Sequence, residues 1–213
     1  MSALRRRPSG SRAWARVPAL VAAALLAGCA GVAQRAVPLA PVGLPTADEL
    51  AALARLADFA LTGRVAVHSR GEGWNASFDW REAAGLGTLA VRGPFGAGAA
   101  RITSSAERIV IESGNDAPLE VAAPFSALDE ALIARLGFAL PLAPLRYWIR
   151  GVPAPDLPSK GGAGRFRQAD WDVACDAYAR VAGAPGPLPG RLVLTRPGTR
   201  IRVVIDRWQL DGG

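Results

Sequence analysis

The stretch Trp74-Asn75-Ala76-Ser77-Phe78-Asp79-Trp80 decides the fold of this chain. Apolar residues, most of them aromatic, occupy every second position, and polar residues occupy the positions between them. Because successive side chains of a β-strand point to opposite faces, this period of two predicts a strand with one face in a core and the other in water. An antiparallel sheet accommodates a solvated face of this kind.

The same period recurs along most of the chain. It begins at Phe59 and returns at residues 89–91, 109–111, 164–168, 171–178, 190–195 and 199–209. Two capping boxes, Thr46-x-x-Glu49 and Ser126-x-x-Asp129, predict helices, and a third short helix is predicted around Leu145. Strands, a helical insert and further strands predict a mostly β fold with short helices, built on one strongly curved antiparallel sheet that helices cap.

The N-terminus is typical of a bacterial lipoprotein signal. Five arginines precede an apolar stretch over residues 17–27, which ends in Leu26-Ala27-Gly28-Cys29. Eleven residues rise only about 16 Å as a helix, too little to cross a hydrocarbon core of ~30 Å. We therefore expect residues 1–28 to be removed and Cys29 to be acylated; the alternative is an ordinary secretory peptide with a chance cysteine. Ala30, in place of an aspartate, favours the outer membrane.

The rest of the chain divides into a tether and one domain. Residues 29–45 carry the lipidated cysteine and a Pro/Ala-rich segment, which in an extended form spans up to about 50 Å. Residues 46–213 are expected to form a single domain.

Charge argues against nucleic acid as a partner. The chain has 25 basic and 18 acidic residues, but the five leader arginines leave 20 basic residues against 18 acidic ones in the remainder. A net charge near +2 without a basic stripe gives nucleic-acid binding no support.

The residues of known catalytic motifs are missing. The single histidine, His68, lies on a predicted strand and is expected to have a structural role at the surface; no G-x-S-x-G, H-E-x-x-H or Cys-x-x-Cys motif occurs. The glycine-rich stretches 93–98 and 161–164 are predicted to be loops, because neither is followed by the helix that a phosphate site needs. Cys175 is expected to be a buried, inert thiol. We therefore expect no enzyme, no catalytic residues, no metal and no cofactor beyond the acyl groups on Cys29.

Two aromatic features leave alternatives open. Phe95, in the stretch Gly93-Pro94-Phe95-Gly96, either folds back into the core or forms an exposed tip that touches a membrane or a lipid. The tryptophans after the leader either fill a solid core or line a ligand cavity inside the curved sheet.

Several motifs together resemble the LolB family over residues 58–210. They are Phe78-Asp79-Trp80, Leu89-x-x-x-Gly93-Pro94-Phe95-Gly96, Leu140-Pro141, Leu145-x-x-Trp148-x-x-Gly151-x-Pro153, Trp171-x-Val173 and Ile201-x-Val203-x-Ile205-x-x-Trp208. The family implies an incomplete antiparallel barrel of about eleven strands with a helical lid over an apolar cavity.

The resemblance also implies a function. LolB-like proteins are lipid-anchored on the periplasmic face of the outer membrane, accept lipoproteins from the periplasmic carrier LolA, and insert them into that membrane. The implied partners are a LolA-like carrier, lipoprotein acyl chains and outer-membrane lipid, and the protein is expected to be a monomer. The alternative is a lipoprotein that scaffolds envelope assembly through protein contacts and has no lipid cavity.

The family's site residues map onto this chain in two groups. Members carry a membrane-insertion loop with a leucine between proline and glycine, which corresponds to Pro94, Phe95 and Gly96. Candidates for the lining of the cavity or lid are Phe78, Trp80, Leu89, Leu132, Leu145, Trp148, Trp171 and Trp208.

Overall fold

A computed structural model of the chain describes residues 42–94, 99–114, 116–125, 128–136 and 140–210. These ranges contain three helices, α1 (Ala47–Ala54), α2 (Leu128–Leu136) and α3 (Leu142–Trp148). They also contain eleven strands: β1 (Phe59–Ser69), β2 (Glu72–Ala83), β3 (Leu86–Arg92), β4 (Ala100–Ser104), β5 (Arg108–Ser113), β6 (Leu119–Ala122), β7 (Ser159–Gly162), β8 (Arg165–Gln168), β9 (Trp171–Asp176), β10 (Arg191–Arg196) and β11 (Thr199–Gln209).

All eleven strands belong to one antiparallel sheet. Its order is β6-β5-β4-β3-β2-β1-β11-β10-β9-β8-β7, so the first and last strands of the sequence pair at the centre. Within the described residues, β6 and β7 form the two ends of this order. The predicted fold, an incomplete antiparallel barrel with short helices, is therefore confirmed.

Strand β2 carries the alternation that the sequence predicts. Ala76, Phe78 and Trp80 are buried, whereas Asn75 and Ser77 on the opposite face are exposed and Asp79 is half-buried. The strand pairs with β1 over all but its last residue and with β3 over its second half, so its aromatic face lies near the middle of the sheet.

Helix α1 begins at the predicted capping box. The backbone N–H of Thr46 donates to Glu49 Oε2 at 2.8 Å, and the Glu49 N–H donates to Thr46 Oγ1 at 3.3 Å. The hydrogen bond from the Thr46 backbone lowers the pKa of the Glu49 carboxyl. Helix α2 is also present, but Ser126 and the Asp129 side chain of its predicted capping box lie outside the described residues.

The glycine-rich stretch near residue 161 corrects one prediction. Gly161 and Gly162 belong to strand β7, where Gly161 pairs with Phe166, and not to a loop. All four residues of this strand are exposed, so no burial pattern marks it in the sequence, and its hydrogen bonds to β8 define it. The period of two does not predict β4 or β6 either, because each of these short strands buries a single side chain, Ile102 and Val121 respectively.

The hydrophobic core lies between the inward face of the sheet and the helices. Its members come from β1 to β6, from β8 to β11, and from α2 and α3. Cys175 on β9 is 5% exposed, and burial raises the pKa of its thiol to about 12, which confirms the prediction of a buried thiol. Residues Leu39–Gly213 form a compact unit of their own that contains this whole core, so we expect a chain beginning at Ala30 to fold.

Gly63 lies where two strands approach too closely for a side chain. The register between β1 and β11 shifts between Thr62 and Gly63, which marks a bulge. A Cβ atom at Gly63 would collide with the carbonyl oxygen of Val204 and would lie 2.9 Å from Cζ of Phe78.

We predict that Gly63→Ala lowers the free energy of unfolding by about 1–3 kcal/mol, because the added methyl group overpacks this site. Gly73→Ala is the matched control: Gly73 lies on the neighbouring strand β2, and a Cβ atom there would meet nothing within 4 Å. This control should be neutral or slightly stabilising. Urea denaturation of the chain beginning at Ala30 measures the free energy of unfolding of both variants. Equal changes in the two variants would contradict the close approach of the strands at Gly63.

Candidate functional site

An apolar cavity lies between helix α3 and the centre of the sheet. Its volume is about 60 Å³, and aliphatic and aromatic side chains line it throughout. From the sheet these are Val65, Val67, Trp74, Phe78, Trp80, Leu89, Val91, Ile201 and Val203; Leu145 of α3, with Leu140 and Ile149 beside that helix, completes the lining. We call this space the apolar cavity.

The sheet register explains why the lining is continuous. Val67 pairs with Trp74 on one side and with Ile201 on the other, and all three side chains reach the cavity. Trp80 pairs with Leu89 in the same way. Because inward positions on neighbouring strands lie side by side, the period of two in each strand adds up to one apolar surface.

Half of the predicted cavity residues line this cavity. Phe78, Trp80, Leu89 and Leu145 are among its walls. These four come from the motifs that carry the family resemblance.

The other four predicted residues lie elsewhere in the fold and do not line the apolar cavity. Trp148 is fully buried, donates from Nε1 to Gln168 Oε1 at 2.7 Å and packs edge-on against Phe166. Trp171 lies under the guanidinium of Arg196. Trp208 is half-buried against Phe59, and Leu132 is fully buried on α2. A role of these side chains in the lid stays a prediction.

A second cavity of about 210 Å³ adjoins the first and has a different chemistry. It shares Trp80 and Leu89 with the apolar cavity, but charged and hydroxyl-bearing residues form part of its wall. We call it the mixed cavity. Its lining consists of Trp80, Glu82, Gly87, Leu89, Ile102, Ser104, Ser105, Ile109, Phe125, Leu142, Ala143, Arg146, Tyr147 and Asp156.

Glu82 is the most deeply buried charge of the mixed cavity. It is 2% exposed, accepts from Trp80 Nε1 at 3.0 Å through Oε1, and accepts from Arg146 Nη2 at 2.7 Å through Oε2. A buried carboxylate requires such partners, because an unpaired one is strongly destabilising. The pair also ties helix α3 to strand β2.

Sequence reasoning missed Glu82, although a signal was present. Glu82 continues the inward-facing series Phe78 and Trp80, so an acidic residue stands where the period of two predicts an apolar one. Gly87 gives it room: a Cβ atom at Gly87 would lie 2.6 Å from Glu82 Oε1 and would also collide with the Ser104 hydroxyl.

Arg150 joins α1 to the end of α3. It is 3% exposed, and its Nη1 donates to the carbonyl oxygens of Leu53, at 2.9 Å, and of Leu56, while its Nε donates to the Arg146 carbonyl at 3.0 Å. Its guanidinium also lies 4.9 Å from the ring centre of Tyr147. Burial lowers the pKa of Arg150 to about 10, so the side chain stays protonated at neutral pH and satisfies the open carbonyls at the C-terminus of α1.

The predicted anchor and most of the predicted insertion loop lie beyond the described ranges. Pro94 is exposed and ends the segment that follows β3, and the description resumes before β4. Phe95, Gly96 and Cys29 lie outside the described residues. Their roles stay predictions.

The single histidine and the acidic side chains of the described residues do not gather into a metal site. His68 is exposed on β1 opposite Gly73 and Arg200. No group of three or more His, Cys, Asp or Glu side chains in the described ranges could hold a metal ion. No helix in these ranges is long and apolar enough to span a membrane.

One solved structure shares the fold at low sequence identity, and a second superposes less well. A DUF1329 family protein from Desulfovibrio piger superposes with a TM-score of 0.53 at 8% identity, covering 78% of this chain and 92% of that one. A LolA superfamily protein from Nitrosomonas europaea gives a TM-score of 0.47 at 7% identity, covering 80% of this chain and 96% of that one.

Sequence comparison identifies the family. The family model "Outer membrane lipoprotein LolB" matches residues 57–208. The outer-membrane lipoprotein LolB of Nitrosococcus oceani is 30% identical over 205 residues, which cover 92% of this chain and 98% of that protein. The LolB of Halorhodospira halophila is 34% identical over 162 residues, which cover 73% and 77% of the two chains. The resemblance in the motifs is thus confirmed, and the chain belongs to the LolB family of outer membrane lipoproteins.

Proposed function

We propose that this protein is the outer-membrane receptor that accepts lipoproteins from a LolA-like periplasmic carrier and inserts them into the outer membrane. The single observation that supports this most strongly is the apolar cavity under α3, in a chain of the LolB family. Acyl chains of the cargo enter this cavity, and no bond is made or broken during the transfer.

The physical chemistry of acyl chains requires such a cavity. Each CH₂ group that moves from water to an apolar environment contributes about 0.8 kcal/mol, so a lipoprotein with several chains does not dissociate into water on a useful timescale. Transfer must therefore pass directly from one apolar site to the next. A receptor that supplies a better-fitting site than the carrier needs no external energy source.

The apolar cavity must widen before it accepts an acyl chain. Its volume is about 60 Å³, whereas an engineered protein cavity of about 150 Å³ holds one benzene molecule. Helix α3 supplies one wall and has only seven residues. In the proposed cycle α3 moves away from the sheet, and the cargo chains fill the space between Leu145 and the apolar side chains of the sheet.

The anchor and the loop supply the membrane end of the proposed cycle. Acyl groups on Cys29 hold the protein at the outer membrane, and the Pro/Ala-rich tether over residues 29–45 lets the domain meet the carrier. Phe95, between Pro94 and Gly96, then contacts the bilayer during insertion.

The small volume of the apolar cavity also favours a second candidate function. A scaffold for envelope assembly would have a solid core and would act through protein contacts alone. Such a scaffold has no cavity that could hold acyl chains, so acceptance of a lipoprotein distinguishes the two functions.

We predict that Val91→Glu lowers acceptance of lipoprotein about tenfold, because it places an unpaired carboxylate against the acyl chains. Val91 lines the apolar cavity and is only partly buried, so the change should preserve the fold. The measurement incubates the chain beginning at Ala30 with a LolA-like carrier loaded with a triacylated lipoprotein, and then separates the two proteins.

Thr88→Glu is the matched control. Thr88 lies on the same strand, on the opposite face, where it pairs with Arg81. It should accept lipoprotein like the unmodified chain. If the folded, unmodified chain accepts no lipoprotein, the receptor function is wrong; if Val91→Glu accepts it normally, the acyl chains do not enter this cavity.

A separate prediction concerns the loop. Phe95→Glu should leave acceptance from the carrier intact but reduce delivery to liposomes at least tenfold, because a carboxylate does not enter the apolar part of a bilayer. Phe95→Leu restores the residue that the family carries and should deliver normally. Sedimentation of the liposomes with labelled lipoprotein measures delivery, and normal delivery by Phe95→Glu would overturn the role of the loop.

A further inference from the structure

We propose that the mixed cavity binds the uncharged, carbonyl-bearing head of an acylated ligand while the chains of that ligand occupy the apolar cavity. The head is the part of a lipoprotein where ester and amide groups join the acyl chains to the protein. The inference rests on the proposed function and adds a site that selects the cargo by its polar group.

The first argument is that the two cavities share part of their walls. Trp80 and Leu89 line both, so the two spaces meet at these side chains. One space is purely apolar, and the other is bordered by Glu82, Ser104 and Arg146. An amphiphile has the same division between an apolar chain and a polar end, and it can fill both spaces at once.

The second argument is that the mixed cavity presents hydrogen-bond donors. The Arg146 side chain is 38% exposed, and its bond to Glu82 uses Nη2. A guanidinium has five N–H donors in a fixed plane, and an ester or amide carbonyl is an acceptor only. The Ser104 hydroxyl adds a further donor on the opposite, strand side of the cavity.

The third argument is the charge of the wall. Its ionisable side chains are Arg146, Glu82 and Asp156, together with the Tyr147 phenol, so at neutral pH negative charges exceed positive ones by one. Glu82 accepts from the Arg146 guanidinium at 2.7 Å and neutralises its charge, so the excess negative charge of the wall is that of Asp156. Such a wall accepts a neutral ester or amide but disfavours a phosphate, so it discriminates a lipoprotein head from an anionic phospholipid.

The test measures binding of three monomeric probes to the chain beginning at Ala30. The probes are a triacylated cysteine lipopeptide with octanoyl chains and no net charge, dioctanoyl-phosphatidylglycerol, and diphenylhexatriene, a fluorescent hydrocarbon with no polar group. Displacement of diphenylhexatriene reports the binding of the other two. The unmodified protein should bind the lipopeptide at least tenfold more tightly than the phospholipid.

Arg146→Gln should weaken lipopeptide binding about tenfold, because it removes charged donors to the carbonyl groups. It should change the affinity for diphenylhexatriene less than about twofold. Because Arg146 is the ion-pair partner of buried Glu82, its replacement can also unfold the protein, so Ser104→Ala, which removes the donor on the strand side of the cavity, serves as a second variant and should weaken lipopeptide binding about threefold. Arg64→Gln is the matched control, since Arg64 pairs with Asp206 on the exposed face of the sheet, and it should leave all three affinities unchanged.

Glu82→Gln should raise the affinity for the phospholipid about tenfold, because the repulsion of the phosphate is removed. Because Glu82 is buried, its loss can also unfold the protein, so Asp156→Asn serves as a second variant. Asp156 is exposed, and removing its charge should raise phospholipid affinity about two- to threefold.

Two results would overturn the inference. One is that Arg146→Gln weakens lipopeptide and diphenylhexatriene equally, which would limit Arg146 to holding helix α3 in place. The other is that the folded, unmodified protein binds phospholipid as tightly as lipopeptide. A folded protein that binds none of the probes would contradict the proposed function itself, so the two failures are distinguishable.

Discussion

An open sheet of eleven strands cannot bury its apolar face by closing on itself, and the rest of the structure depends on this constraint. Phe78, Trp80 and Leu89 stand on that face, at the centre of the strand order. The helices between β6 and β7 supply part of the missing cover, and α3 lies directly over the aromatic side chains. A cover made of short helices, and not of further strands, can separate from the sheet without breaking a ladder of hydrogen bonds.

Buried polar groups hold this cover in place. A helix of seven residues has little stability of its own, so tertiary contacts must fix it. Glu82 and Arg146 join α3 to the sheet, and Arg150 joins the end of α3 to the carbonyls that end α1. These contacts are directional and few, whereas the contacts with the sheet are apolar. The polar contacts define a single closed arrangement. An apolar ligand can compete with helix α3 for the apolar contacts with the sheet.

The sequence predicted the parts of the fold that repeat and missed those that depend on distant partners. The alternation around Trp80 predicted β2 and its inward face, and the motifs placed Leu89 and Leu145 in the cavity wall. The sequence did not predict strand β7, because all of its residues are exposed and show no alternation of apolar and polar side chains. The sequence did not reveal the role of Arg150, because its carbonyl partners at the end of α1 lie more than 90 residues away in the sequence. Of these three features only Glu82 was detectable in the sequence, as a charged residue at an inward-facing position of a strand.

The central claim is that the space under α3 opens to receive an acyl chain. The most direct measurement is a titration of the chain beginning at Ala30 with a fatty acyl methyl ester that carries an environment-sensitive fluorophore at its chain end. The account predicts saturable binding at one site, a blue-shifted emission and displacement by the unlabelled ester. A signal that rises in proportion to the ester without saturating, from a protein shown to be folded, would mean that the core is solid and would contradict the account.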